Sequence, residues 1–164
     1  MACSAALWFF RFTPCGWCAA LGKTEVTSRL HLFAAALWWG SLTAVGFMVV
    51  PMLFMNLPTP AMAGQMAARL FTAQTWVSVV CCVALMLLNR RGGSSSKVEG
   101  IHPSMLFIVL GLLLALLIEY AVAPRIVARE NLRLWHSAGS VMYGVQWLCA
   151  AIVLWRIADP RKQP

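Results

Sequence analysis

Charge is what this sequence has least of: 11% of its residues are charged and Asp and Glu together number five, against about a quarter charged in an ordinary soluble domain. Hydrophobic residues make up 61% of the chain, and they come in blocks rather than at amphipathic spacings, which excludes a water-solvated fold. Catalytic pairings are equally scarce. The sequence shows no nucleophile-base spacing, and no second Cys/His pair accompanies Cys15 and Cys18, whose C-x-x-C spacing would otherwise suit a redox or zinc site. Nor do the six cysteines make a disulfide framework, because Cys81, Cys82 and Cys149 fall inside apolar segments, where a free thiol serves as a small hydrophobe.

What is present is length without charge. The stretch 31–54, HLFAAALWWGSLTAVGFMVVPMLF, covers more than the roughly 20 residues needed to cross the bilayer's hydrocarbon core. Three further segments repeat it, and helices over about 28–54, 64–88, 103–122 and 132–157 predict an all-α fold, an integral membrane four-helix bundle in one domain spanning 28–158. Thr27 or Ser28 caps the first helix. Ala36, Gly40 and Ala44 recur every four residues, as do Gly64 and Ala68, a small-residue spacing that lets a neighbouring helix approach closely in lipid. Residues 1–27 lack the basic start and unbroken apolar core of a signal peptide, since Arg11 interrupts the run; they read as an interfacial segment carrying Trp8 and Trp17, or as a mis-assigned start. Asn89 to Lys97 form an exposed linker, and 159–164 a basic tail.

The formal charge of +8 stands beside the apolar blocks instead of forming a nucleic-acid stripe. It predicts topology. Arg11, Lys23 and Arg29 flank the first helix, Arg90, Arg91 and Lys97 occupy the second connection, Arg156, Arg161 and Lys162 follow the fourth, and the first connection has no basic residue, so both termini are expected in the cytoplasm. Arg125, Arg129 and Arg133 in the third connection run against this pattern. The expected partners are the lipid bilayer and a second copy or another membrane protein, with no nucleic acid.

Ionisable residues at membrane depth are the first candidates for function. Glu119 near the end of the third helix is a proton- or cation-binding carboxylate, or the ion-pair partner of Arg125 or Arg69. His31 and His136 each open a helix and are the residues through which haem or copper would be bound, yet the expected topology puts them most of a membrane thickness apart. His136, Ser140, Tyr143 and Trp147 share one face of the fourth helix by spacing, and this polar face is expected to look into the bundle, as packing or as the lining of a pathway.

These residues carry a resemblance. His31 with Trp38-Trp39-Gly40, Pro51 to Phe54, Ala63-Gly64, Arg69-Leu70-Phe71, Ala123-Pro124-Arg125 and Leu134-Trp135-His136 resemble the transmembrane-protein-205-like family over about 28–157. The family pattern places Pro where this chain has Thr72 and Asn where it has Tyr143. The resemblance implies a multi-pass protein of the bacterial inner membrane and, from eukaryotic relatives, an association with resistance to a platinum drug. The expected function is therefore non-enzymatic: a small transporter subunit or an assembly and resistance factor, with a haem- or copper-binding redox protein as the competing reading.

Overall fold

The computed structural model describes residues 16–92, 103–128 and 131–159. The readings placed on Trp8, Arg11, Cys15, Lys97, Arg129, Arg161 and Lys162 lie outside the described residues. In order, the chain forms α1 (Gly16–Thr43), a π-helical segment π1 (Ala44–Val49), α2 (Val50–Asn56), α3 (Pro60–Gly92), α4 (Pro103–Leu117), a second π-helical segment π2 (Ile118–Val122), α5 (Ala123–Val127) and α6 (Leu132–Ala158). Together they make four spans, Val26–Asn56, Pro60–Arg90, Ser104–Val127 and Leu132–Ala158, each long and apolar enough to cross a membrane. The all-α bundle predicted by the apolar blocks is the observed fold.

Element ends differ from the sequence reading for local reasons. Helix α1 already begins at Gly16, within the stretch read as interfacial. The first connection is tighter than expected: Leu57 leaves the helix in extended conformation, and Thr59 caps α3 by accepting the Met62 backbone N–H at 3.3 Å, with Pro60 in the first-turn position where a missing N–H costs nothing. The third span runs on to Val127. Before α6 the chain turns at Asn131, whose φ of 43° is a left-handed conformation that Asn tolerates better than most residues.

Both π segments end at a proline. Val50 N–H bonds Val45 C=O and Ala123 N–H bonds Ile118 C=O, five residues back, and Pro51 and Pro124 follow directly. Inside an α-helix a proline ring presses on the carbonyl four residues earlier and leaves it without its donor. Widening the preceding turn moves that carbonyl aside, so each span continues past its proline.

The spans adjoin in a closed order: α1 packs on α3, α3 on α4, α4 on α6, and α6 back on α1. The shared core holds Ala35, Trp38, Leu42, Cys81, Cys82, Leu85, Ile108, Ala150 and Val153. Gly111 admits the Trp38 ring, because a Cβ at Gly111 would lie 2.6 Å from Trp38 Cη2. The expected small-residue ridge does not do this work. Ala36 and Ala44 are exposed, and a Cβ on Gly40 or Gly64 would meet nothing within 4 Å; the buried alanines of the first two spans are instead Ala35, Ala63 and Ala67, each one position away from the predicted line. Phe33, Met55 and Trp155 are more than 70% exposed, an outer surface suited to acyl chains rather than water.

Candidate polar junction in the membrane interior

The polar residues that the fold brings together are mostly uncharged. Gln74 and Ser78 lie one turn apart on α3, so both face the bundle axis, and they are 5% and 0% exposed. Gln74 Nε2 donates to Ser41 Oγ of α1 at 2.9 Å and to Ser78 Oγ at 3.5 Å. From α6, Gln146, 2% exposed, donates through Nε2 to the same Ser78 Oγ at 3.1 Å. Three spans are thus joined by one chain of side chains, Ser41 to Gln74 to Ser78 to Gln146. An amide without partners in hydrocarbon costs several kcal/mol, so mutual satisfaction is what permits two glutamines at this depth.

A second set extends from this junction toward the end where π1 lies. Tyr143 OH donates to Leu42 C=O at 2.9 Å, and its ring passes so close to Gly46 that a Cβ there would sit 2.6 Å from Tyr143 Cε1. Trp147 Nε1 donates to Thr43 Oγ1 at 2.9 Å, while Thr43 donates to Trp39 C=O at 2.8 Å. The Phe71 ring stands edge-on to Tyr143 at 5.4 Å. Helices α1 and α6 are held here by hydroxyl and indole donors as well as by packing.

The remaining sequence candidates separate. Glu119, half-buried in π2, accepts a 2.9 Å hydrogen bond from Thr72 Oγ1 on α3. Arg125 stacks on Trp135, 4.2 Å from the ring centroid. His136 and Ser140 are exposed, and Ser140 Oγ donates back to the His136 carbonyl at 2.9 Å; of the expected inward face only Tyr143 and Trp147 turn to α1. The cause is the path of the first span. Beyond π1, α2 packs on α3, whereas the early turns of α6 pack on π2 and α5, with Gly139 against Val122. Among the described residues no helix covers His136.

His31 continues the buried line of Ala35, Trp38 and Leu42 at helical spacing. Its Nδ1 lies 2.9 Å from Thr27 C=O, and its Nε2, like Trp38 Nε1 and Trp39 Nε1, is buried without a hydrogen-bond partner among the described residues. The bond from Tyr143 to Leu42 fixes the antiparallel register of the first and fourth spans, which places His31 and His136 about 27 Å apart along the bundle axis. Among the described residues no group of three or more His, Cys, Asp or Glu side chains is arranged to hold a metal ion.

A family model described as Domain of unknown function (DUF4149) matches residues 33–134. The chain belongs to that family. No curated protein and no solved structure matches it. The DUF4149 match takes in Trp38, Gly40, Ser41, Thr72, Gln74, Ser78, Glu119 and Arg125, whereas Tyr143, Gln146 and Trp147 lie beyond it on the fourth span. The junction is therefore built from DUF4149 residues closed by a helix the match only begins to enter. Sequence reading singled out Trp38 and Tyr143 but passed over Gln74 and Ser78.

Proposed function

We propose that this DUF4149 protein is a non-enzymatic membrane protein, a small transporter subunit whose interior polar junction engages a proton or small polar solute during passage. The observation that carries the reading is the sharing of Ser78 Oγ by Gln74 and Gln146: hydrogen-bonding groups from opposite spans meet at the centre, where apolar side chains alone would pack the bundle. Glu119 with Thr72 is the carboxylate of the same path, nearer the end that holds π1 and π2. Its carboxylate takes or releases a proton, and the Thr72 hydroxyl holds it in place. The proposal keeps the resemblance to the transmembrane-protein-205-like proteins, the placement in a bacterial inner membrane with both termini cytoplasmic, and a resistance or assembly role as the form the function takes if no solute crosses.

The test uses sealed proteoliposomes with an entrapped pH-sensitive dye and a potassium diffusion potential. Wild-type protein is expected to raise the rate of internal acidification several-fold over empty vesicles, and Gln74→Leu to return it to the empty-vesicle rate. A wild-type rate equal to that of empty vesicles would retire proton passage and leave a small polar solute or the assembly and resistance role. The competing haem or copper reading, through His31 or His136, predicts a visible absorption band in protein purified from haem-replete cells.

A further inference from the structure

The outer face of the fourth span carries a groove of about 270 Å³ lined by Leu148, Ala151, Ile152, Trp155 and Arg156. From Leu148 to Arg156 it runs about 12 Å along the helix, most of the roughly 15 Å thickness of one leaflet's hydrocarbon. Its apolar end points to the bilayer centre and its charged end to the membrane surface. At that end the Arg156 guanidinium rests on the Phe107 ring, 5.1 Å from the centroid, an aromatic support that orients a cation without neutralising it. Trp155 beside it is 75% exposed, in the position of an interfacial anchor. Arg29 and Arg90 lie exposed at the same end of the bundle.

We propose that this groove is a binding site for an anionic phospholipid, with one acyl chain along Leu148, Ala151 and Ile152 and the phosphate at Arg156. A fixed guanidinium at the mouth of an apolar channel complements a ligand that is anionic at one end and a hydrocarbon chain at the other. Zwitterionic lipid fills the same channel, but its own ammonium group competes for the phosphate charge. The contribution of Arg156 as a helix C-terminal cation is common to every lipid environment and does not distinguish headgroups.

Native mass spectrometry of protein released from mixed micelles, with phosphatidylglycerol and phosphatidylcholine of identical chains at equal mole fraction, measures the preference. Wild type is expected to retain phosphatidylglycerol about fivefold over phosphatidylcholine, the size of one basic residue's contribution near a membrane surface. Arg156→Gln should bind both lipids equally, Arg156→Lys should keep most of the preference, and Ala151→Trp should lose both by filling the channel; Leu148→Trp replaces it if that variant does not fold. Equal retention by wild type, or an undiminished preference in Arg156→Gln, overturns the proposal. So does displacement of phosphatidylglycerol by millimolar inorganic phosphate, which would make the site one for soluble phosphate.

Discussion

Thr72 donates a 2.9 Å hydrogen bond to Glu119 across the contact between the second and third spans. The two residues stand 47 positions apart in sequence, and the bond lies beside a narrow cleft shared by Thr75, Trp76 and Tyr120. A double-mutant cycle with Thr72→Val and Glu119→Gln should show coupling of about 0.5–1.5 kcal/mol in thermal unfolding. The cycle between Arg125→Gln and Glu119→Gln should show none, because Arg125 is engaged with Trp135. Rescue of a Glu119→Gln expression defect by Arg125→Gln would contradict this arrangement.

The three-span junction makes a prediction about additivity. Gln74→Leu and Gln146→Leu each remove a donor to Ser78 and should each cost about 0.5–2 kcal/mol. Ser78→Ala takes the acceptor from Gln146 while Gln74 keeps its 2.9 Å bond to Ser41, and leaving a buried amide unpaired should cost more than Gln146→Leu, which removes the amide itself. Unfolding followed by tryptophan fluorescence in a mild detergent measures the series. Equal, small losses from all three would mean that the polar groups find other partners.

Glycine positions divide sharply. Gly111→Ala places a methyl group 2.6 Å from the fully buried Trp38 ring, and Gly46→Ala does the same against Tyr143, so each should lose about 1–3 kcal/mol. Gly40→Ala, with open space around its Cβ, should be neutral or stabilising through better helix propensity. A melting temperature lowered by Gly40→Ala as much as by Gly111→Ala would show that the first span presents a different face to its neighbours.

Orientation is accessible to reporter fusions after residues 60, 95, 128 and 164. Export-dependent activity is expected at 60 and 128, and cytoplasm-dependent activity at 95 and 164, following the distribution of Arg and Lys. An exported signal at 95 or 164 would invert the assignment and put the groove end of the fourth span in the outer leaflet.

The four spans were legible because lipid imposes a length and an absence of charge that no packing detail alters. Helix faces were not. In water a helix advertises its buried side by contrast, but here Phe33 on the lipid side and Leu42 in the core are equally apolar, so the Ala36/Gly40/Ala44 line and the Ala35/Trp38/Leu42 line look alike. Polarity misled in the other direction at His136 and Ser140, which stand exposed because α2 departs from α6 toward α3. The Ser41, Gln74, Ser78 and Gln146 meeting was hidden for a further reason: each residue is unremarkable alone, and only the antiparallel register gives them a common depth.

Each π segment also has an arithmetic consequence. A turn that closes five residues back holds one residue more than an α turn, so everything beyond it is rotated by about 100° relative to an uninterrupted helix. The positions that face the core in α1 therefore do not predict those of α2, and α4 does not set the phase of α5. A single-residue deletion within Ala44–Val49 would close the wide turn into an α turn and leave Phe54 and its neighbours on their present azimuth, but would bring Pro51 back into collision with the carbonyl that the wider turn now holds clear.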